Sequence, residues 1–509
     1  MPFERQSGLI LHPTSLPGPF GVGEIGQAAR DFVDAMQAGG QHVWQILPLN
    51  ALGNAASPYS ANTTFAINPM ICDVAELMAM GLVTGDEAAP LRALAAGHVD
   101  FAAAIPARDA VLMQAARRFA AAPGPLAAEF AAYRATHDAV WLDDYALWEA
   151  LSRSYQRDWW LNWPAGERNR EPAALAAART RLAGEIEAIK ALQFLTERQW
   201  QALRDYARAR GVWILGDMAI FVAHDSAEVW AARQQFKLDA DGHQTVQAGV
   251  PPDYFSATGQ LWGNPIYDWD AMQADGFQWW IARVRRLRQL TDAVRIDHFR
   301  GFAACWETPA GETTAIHGTW VPAPGHALFE AIFEALPGID VIAEDLGLIT
   351  PDVEELLAAF DFPGLKVLQF EFGGHGPHGE RHPYHYKPNS VTYTGTHDTD
   401  TTVGWFHNNG HDREARKNDA EREAANVLGL LGGDGSDVHW RMIGLALESG
   451  SNLAIMPLQD VMGLGPEGRM NIPGTVEGNW QWRYRDGEIT PDMLARLRAL
   501  TERHGRLRA

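Results

Sequence analysis

Charged residues crowd the end of one apolar segment, AVRIDHFRG at residues 293–301. Arg295, Asp297, His298 and Arg300 fall within six positions of that segment. Asp and Arg are rarely buried in proteins unless they are paired. Two interpretations are therefore open for this segment, because it is either a salt-bridged strand end or the floor of an active site.

Carboxylates also stand at the ends of three other apolar segments. Asp217 follows ILG, Glu344 follows VIA, and Asp398 lies just past TYTGT, next to His397. A single Asp at a strand end is commonly a helix cap or a member of an ion pair. Together with Asp297, however, there are four such carboxylates on four segments. Paired carboxylates suit glycoside chemistry, in which one attacks or stabilises the sugar and the other transfers a proton.

The pair Arg295 and Asp297 favours a nucleophile over a metal ligand. Residues two apart on a strand point to the same face, and a neighbouring Arg favours the ionised form of a carboxylate. Metal binding is the competing use of clustered acids. The sequence contains no EF-hand loop and no HExxH pattern, and Arg295 would repel a cation. We therefore expect neither a catalytic metal nor a cofactor.

Eight short β-type segments must position these residues. Continuous apolar runs favour strands that are covered on both faces, and the helical patterns between them, such as 326–336 and 351–360, indicate βα units. Eight such units predict an α/β fold, the (β/α)8 TIM barrel, in which active-site residues lie at the C-terminal ends of the strands. The predicted strands are 8–12, 43–49, 212–221, 293–297, 341–345, 365–370, 391–395 and 453–457.

The long gap between the second and third predicted strands, residues 49 to 212, predicts an insertion. This gap is rich in Ala and shows apolar residues at helical spacing. We expect residues 73–200 to form a mainly helical subdomain. Residues 1–72 and 201–509 would form the catalytic barrel, with further loop insertions at its catalytic face. The sequence TERQ at 196–199 resembles a capping box that would open the helix before the third strand.

Composition and charge argue against several classes of protein. The chain has 509 residues, of which 47% are hydrophobic and 21% charged, and its net charge of −21 argues against a nucleic-acid partner. No apolar run approaches the roughly 18 residues of a membrane span, and the N-terminus does not resemble a signal peptide. The two cysteines, Cys72 and Cys305, predict free thiols in a reducing cytoplasm.

The 19 tryptophans offer a second indication of sugar binding. Burial in the core explains many Trp residues in any protein. Trp262, Trp405, Trp480 and Trp482, however, lie in polar segments. Aromatic faces in polar surroundings suit sugar rings, whose axial C–H groups form a flat apolar surface.

With these features together, the sequence resembles the amylomaltases, the 4-α-glucanotransferase family related to the α-amylases. The resemblance extends over nearly the whole chain. The motifs that carry it are SGLILHPTSLPGPFGVGEIG (7–26), WQILPL, SPYSANTTFAINP (57–69), GDMAIFVAHDSAEVW (216–230), GVPPDYFSATGQLWGNPIYDW (249–269), AVRIDHFRGF, IAEDLG, YTGTHDTDT and GRMNIPGT (468–475).

The resemblance implies a role for each residue that matches a family motif. Asp297 matches the nucleophile, Glu344 the general acid/base, and Asp398 the carboxylate that holds sugar hydroxyls and stabilises the transition state. The loop 249–265 matches a segment that arches over the cleft, where aromatic residues would form the acceptor side and exclude water. The substrate-binding residues implied in this way are Tyr59, Asp217, Arg295, His397, Asn471, Tyr254, Phe255 and Trp262.

The implied reaction is a retaining, two-step transfer of an α-1,4-glucan segment from a maltodextrin donor to a glucose or glucan acceptor. The expected partners are maltooligosaccharides and α-1,4-glucans, with neither nucleic acid nor membrane involved. Two alternatives remain open: a hydrolase of α-1,4-glucans, in which water replaces the acceptor sugar, and a non-catalytic glucan-binding protein. The sequence leaves open the preferred donor length, the size of any cyclic product and the oligomeric state.

Overall fold

The computed structural model describes residues 4–53, 56–94, 96–252, 258–347, 349–373, 382–413, 416, 419–475 and 477–508. The strands among these residues are, in chain order, β1 (Gln6–Ile10), β2 (Val43–Gln45), β3 (Trp213–Met218), β4 (Val246–Val250), β5 (Gln260–Pro265), β6 (Ala293–Ile296), β7 (Ala304–Pro309), β8 (Thr319–Pro322), β9 (Val341–Ala343), β10 (Gly364–Val367), β11 (Ser390–Tyr393) and β12 (Leu453–Pro457).

The α-helices of the described residues fall into three groups along the chain. The N-terminal and inserted part contains α1 (Gln27–Ala38), α2 (Val74–Ala79), α3 (Gly85–Arg92), α4 (Phe101–Ala121), α5 (Ala127–His137), α6 (Asp143–Ser154), α7 (Ala165–Arg168), α8 (Pro172–Arg181) and α9 (Ala183–Ala209). The central part contains α10 (Ala227–Ala231), α11 (Trp269–Ala274), α12 (Gln278–Leu290), α13 (Gly325–Ala335), α14 (Pro351–Ala359) and α15 (Leu368–Glu371). The C-terminal part contains α16 (Thr402–His407), α17 (Ala420–Leu431), α18 (Val438–Glu448), α19 (Leu458–Met462) and α20 (Pro491–Arg503).

Eight strands form one parallel sheet in the order β10-β11-β12-β1-β2-β3-β6-β9. Its two edges come together, because the N–H of Ala343 at the end of β9 donates to the carbonyl of Pro363, just before β10, at 3.0 Å. Each of the eight predicted segments contains or overlaps one of these strands. The predicted (β/α)8 barrel is confirmed, and its short apolar strands form because helices cover their outer faces.

The segment between β2 and β3 is helical where it is described, from α2 to α9. Buried residues of α4, α6 and α9, among them Phe119, Trp148 and Phe194, belong to the same apolar cluster as Ile296 of the barrel strand β6. The inserted helices therefore share a core with the barrel. The division of the chain at residues 72 and 200 stays a prediction.

The interpretation of TERQ as a helix start was wrong. Thr196 lies in the middle of α9, which begins at Ala183 and continues to Ala209 without interruption. The Thr196 hydroxyl donates to the carbonyl of Leu192, one turn earlier, at 2.8 Å. A capping box needs free N–H groups at a helix start, and α9 has none at this point because its apolar face stays buried along the whole length.

A second sheet was not predicted from the sequence. It is antiparallel, with the order β5-β4-β7-β8, and it lies in the segments that follow β3 and β6. The predicted loop 249–265 therefore includes the end of β4 and all of β5. These strands are difficult to recognise because β4 pairs with β7, more than 50 residues later, at a register that matches Gly249 with Trp306.

Within the described part of the chain, no helix combines the length and the apolar character needed to cross a membrane.

Candidate active site

Arg295 forms the centre of a charged cluster at the C-terminal end of β3 and β6. Its Nη1 donates to both carboxylate oxygens of Asp217, at 2.8 and 2.7 Å, and to Oδ1 of Asp297 at 2.9 Å. The register of the sheet explains the first contact, because Asp217 on β3 pairs directly with Arg295 on β6. The AVRIDHFRG segment is therefore a salt-bridged strand end, and one of its paired residues, Asp297, also lines a cleft. The interpretation as the floor of an active site stays a prediction.

The members of this cluster differ in burial. The Asp217 side chain is 0% exposed and that of Arg295 is 4% exposed, whereas the Asp297 side chain is 27% exposed. Burial alone would lower the pKa of Arg295, but Asp217 and Asp297 outweigh it and raise that pKa well above its usual range. The guanidinium therefore stays charged between the two carboxylates, of which Asp297 faces the cleft.

Glu344 follows β9, the neighbour of β6. Ile296 pairs with Ala343, so Asp297 and Glu344 occupy the next positions on adjacent strands. The backbone N–H groups of His298 and Leu346 donate to the two Glu344 oxygens at 2.7 and 3.0 Å. Burial, and then the charge of Asp297, raise the pKa of Glu344 to about 7. A carboxyl group with this pKa can donate a proton in one step and accept it in the next.

The backbone at His298 is unusual for a residue with a side chain. Its φ of 48° and ψ of 50° place it in the left-handed region, which bulky residues rarely adopt. This turn aims the His298 N–H at Glu344. It also brings the His298 ring edge-on to Trp262, with 4.8 Å between the ring centroids.

Asp398 lies on the opposite side of the cluster, in the segment after β11. His397 Nε2 is 3.3 Å from its Oδ2, and Asn471 Nδ2 donates to its Oδ1 at 2.6 Å. Burial alone would raise the pKa of Asp398, but His397 and Asn471 outweigh it and lower that pKa to about 2. Asp398 is therefore ionised over the whole range in which Glu344 titrates, so the two carboxyl groups have different protonation states near pH 7.

Tyr59 connects the two halves of the site. Its hydroxyl donates to Oδ2 of Asp217 at 2.8 Å, and its ring stacks on that of His397, with 5.0 Å between centroids. Trp480 lies against both rings, at 5.7 Å from Tyr59 and 5.9 Å from His397. Trp480 is one of the four tryptophans whose polar surroundings in the sequence suit sugar binding, and its place beside Tyr59 and His397 agrees with that pattern.

A cleft of about 830 Å³ adjoins this cluster, and its lining includes Tyr59, His397, Asn471 and Trp480. Its volume is within the usual range of ligand sites. Asp297 and Asp398 lie on its floor, and Trp262, 37% exposed, lies on its wall. Tyr254 and Phe255 lie outside the described residues. Five other lining residues among those described were not predicted from the sequence: Ser57, Phe101, Phe221, Gln260 and Asn264.

The structure therefore brings together the predicted residues Tyr59, Asp217, Arg295, His397 and Asn471. The three predicted catalytic carboxylates face or adjoin the same cluster. Searched over the described residues alone, the chain contains no group of three or more His, Cys, Asp or Glu side chains arranged to hold a metal ion.

A family model described as 4-alpha-glucanotransferase matches residues 11–490. The 4-alpha-glucanotransferase of Thermus thermophilus is 45% identical over the full length of both chains. The chloroplastic/amyloplastic 4-alpha-glucanotransferase of Solanum tuberosum is 40% identical and covers 99% of this chain and 87% of its own.

A solved structure of the amylomaltase from Streptococcus agalactiae in complex with acarbose superposes with a TM-score of 0.93 at 34% identity, and the match covers 99% of this chain and 100% of the other. Both the family model and these relatives match almost the whole chain. The chain therefore belongs to the 4-alpha-glucanotransferase family.

Proposed function

We propose that the enzyme, a 4-α-glucanotransferase, moves α-1,4-glucan segments by a retaining double displacement in which Asp297 is the nucleophile and Glu344 the acid/base. The observation that carries this proposal is the placement of these two carboxyl groups at matching positions on adjacent strands, one held by a cation and the other with a pKa of about 7. This is the division of roles that a retaining mechanism requires.

In the first step, protonated Glu344 donates its proton to the leaving glycosidic oxygen while Asp297 attacks the anomeric carbon. The bond from the sugar to the leaving chain breaks, and a covalent bond to Asp297 replaces it. Arg295 donates a hydrogen bond to Asp297 before the attack, and its second partner, Asp217, keeps the guanidinium from moving as the negative charge on Asp297 is lost.

In the second step, Glu344, now ionised, removes the proton from the 4-hydroxyl of an acceptor sugar, which attacks the anomeric carbon and releases Asp297. Asp398, ionised in both steps, accepts hydrogen bonds from sugar hydroxyls and stabilises the positive charge that develops on the ring. His397 and Asn471 fix its two oxygens, and Tyr59 holds the His397 ring in place.

We assign the selection of a sugar acceptor over water to the aromatic residues on the wall of the cleft. Trp262 presents an exposed face there, and Tyr254 and Phe255 belong to the same chain segment. An aromatic face binds a sugar ring but gains little from water. This property supports transfer over the hydrolase alternative.

The product pattern from maltotriose alone tests the activity. Transfer yields glucose and a ladder of longer maltodextrins, whereas a hydrolase yields maltose and glucose without the ladder, and a glucan-binding protein yields no products. An Asp297→Asn variant should form no ladder. Asp292→Asn, which changes a carboxylate at the other end of the same strand, should keep it.

The proposed setting is the cytoplasm, where the substrates would be maltodextrins derived from glycogen or starch. The two cysteines support this setting, because Cys72 and Cys305 are buried free thiols. Burial raises the pKa of each thiol to about 12, so neither is a reactive nucleophile at neutral pH.

A further inference from the structure

One buried carboxylate contacts both ends of the segment that carries His397 and Asp398. Asp460 belongs to α19, directly after β12, the neighbour of β11 in the barrel. Its Oδ2 accepts from the Thr394 hydroxyl at 2.5 Å, before this segment. After the segment, Thr402 donates its N–H to Oδ1 at 2.7 Å and its hydroxyl to Oδ2 at 2.9 Å.

The environment of Asp460 is unusual for an ionisable group. Asp460 is 1% exposed, and Thr394 and Thr402 are fully buried. Among the described residues Asp460 makes no ion pair. Burial raises its pKa, and the hydrogen bonds from Thr394 and Thr402 offset this rise only in part. A buried carboxylate without a cation is costly. An acid at this position therefore needs a reason beyond packing.

The number of acceptors explains why the residue is Asp. Both carboxylate oxygens are used, and one of them accepts two hydrogen bonds. An Asn side chain has one oxygen, and its NH₂ group would point a donor at another donor. Only a carboxylate can accept all three hydrogen bonds in this geometry.

We infer that Asp460 is a positioning residue for the transfer reaction: by joining Thr394 to Thr402 it sets the place of Asp398 relative to the sugar in the cleft. This inference rests on the role proposed for Asp398. Arg469 and Asn471 hold the middle of the segment, through the Asp398 carbonyl at 2.8 Å and the Asp398 side chain at 2.6 Å. Asp460 holds its two ends from the side of the barrel wall.

The first test is a double-mutant cycle measured with a glycosyl fluoride donor, whose activated leaving group keeps slow variants measurable. Asp460→Asn should lower kcat/KM about 10- to 100-fold, because a shift of the order of 1 Å at a catalytic group has this effect. In an Asp398→Asn background the same substitution should cost less than about threefold, since residues that act through one another are not additive.

The choice of donor separates Asp460 from the acid/base. The loss caused by Asp460→Asn should be the same with maltotriose and with the glycosyl fluoride, because Asp398 contacts the sugar ring in both. Asp292→Asn is the matched control. Asp292 also accepts several hydrogen bonds, from Arg204, Arg208 and the Ile214 N–H, but at the other end of the barrel, so it should lower the thermal midpoint without lowering kcat/KM.

A second pair of variants covers the case in which Asp460→Asn does not fold. Thr394→Val removes one hydrogen bond to Asp460 and keeps the shape of the side chain, whereas Thr394→Ser keeps the hydroxyl. We expect Val to lower kcat/KM severalfold and Ser to leave it close to the wild-type value.

Three results would overturn the inference. The first is an Asp460→Asn loss of equal size with and without Asp398, and the second is a lower thermal midpoint at unchanged kcat/KM. The third is equal behaviour of Thr394→Val and Thr394→Ser. Wild-type activity of Asp398→Asn alone would instead refute the role proposed for Asp398, and this inference would fail with it.

Discussion

The two ends of the barrel each contain a buried arginine, and the two guanidinium groups have different hydrogen-bond acceptors. Arg295, at the C-terminal end, contacts the carboxylates of Asp217 and Asp297. Arg506, at the N-terminal end, is 0% exposed and donates to carbonyl oxygens, those of Gln6, Leu447, Ser449, Ser451 and Asn452, at 2.6–3.0 Å.

Because of this difference, we expect Arg295 to matter for the reaction and Arg506 to matter for stability. Carboxylates raise the pKa of Arg295 despite its burial, whereas burial, and then the nearby Arg5, lower the pKa of Arg506. At the C-terminal end of the barrel, opposite charges lie close together where a substrate can contact them. At the N-terminal end, one guanidinium ties the C-terminal segment to the starts of β1 and β12 through neutral acceptors. Substitutions at the two ends should therefore affect different measurements.

The largest effect is expected for Asp297→Asn. This substitution keeps the shape of the side chain but removes the charge that bonds to the anomeric carbon, so kcat should fall by about four orders of magnitude or more. Arg295 keeps both contacts with Asp217, so the thermal midpoint should change little. Activity and thermal unfolding are measured on the same preparation, with glucan binding as a check of the cleft. Near-normal turnover would remove Asp297 from its role.

Glu344→Gln should have the next largest effect, and its size should depend on the donor. We expect a loss of about 1,000-fold with maltotriose, because the leaving sugar needs a proton, and a much smaller loss with a glycosyl fluoride, which does not. Equal losses with both donors would contradict the assignment of Glu344 as the acid.

A related prediction concerns the pH dependence of kcat/KM in the wild-type enzyme. The pKa of Glu344 is raised to about 7, and the first step needs its protonated form. Therefore kcat/KM for maltotriose should fall as the pH rises through about 7, while Asp398, with its pKa lowered to about 2, stays ionised throughout. A profile that is flat between pH 5 and pH 9 would show that Glu344 does not control this step.

At the opposite end of the barrel, Arg506→Met should act on stability alone. The substitution removes the hydrogen bonds from Arg506 to five carbonyl oxygens, three of which keep a donor in Arg5, and the free energy of unfolding should fall by about 3 kcal/mol. Denaturant unfolding measures this loss, and kcat per folded molecule should stay at the wild-type value. Arg506→Lys keeps the charge with fewer donors, so its free energy of unfolding should lie between those of the wild type and Arg506→Met. A changed kcat would mean that the two ends are coupled.

The smallest effect is expected for Trp262→Ala, on the wall of the cleft. Removing this ring should raise KM for maltotriose about 3- to 10-fold, which corresponds to the loss of one aromatic contact. Trp262→Phe keeps an aromatic face and should recover most of the affinity. If Phe is no better than Ala, the ring does not contact the sugar.

Several features of this protein could be predicted from the sequence because they depend on local patterns. The apolar segments and the helices between them predict the barrel, and a barrel places the residues at strand ends, Asp297, Glu344 and Asp398, on one face. The family motifs then assign a role to each. No knowledge of contacts between distant residues is needed for these steps.

The contacts that adjust the chemistry depend on tertiary structure. The sequence shows Arg295 beside Asp297, but only the register between β3 and β6 brings Asp217 to the other side of that guanidinium. The antiparallel sheet depends in the same way on the pairing of β4 with the distant β7. The wrong prediction of a capping box at Thr196 has a similar cause. Burial of the apolar face of α9 keeps residues 196–199 inside the helix, although the same sequence could begin a helix in another protein.

Asp460 and Arg506 show this limit most clearly. Each lies in a segment whose local sequence predicts nothing unusual, and each contacts residues far along the chain: Asp460 contacts Thr394, and Arg506 contacts Gln6. The residue types at the strand ends can be found from the sequence, because the alternation of strands and helices is a local property. Only the closed barrel decided which of these charges meet a carboxylate, a hydroxyl or a carbonyl, because those partners come together when distant strands become neighbours.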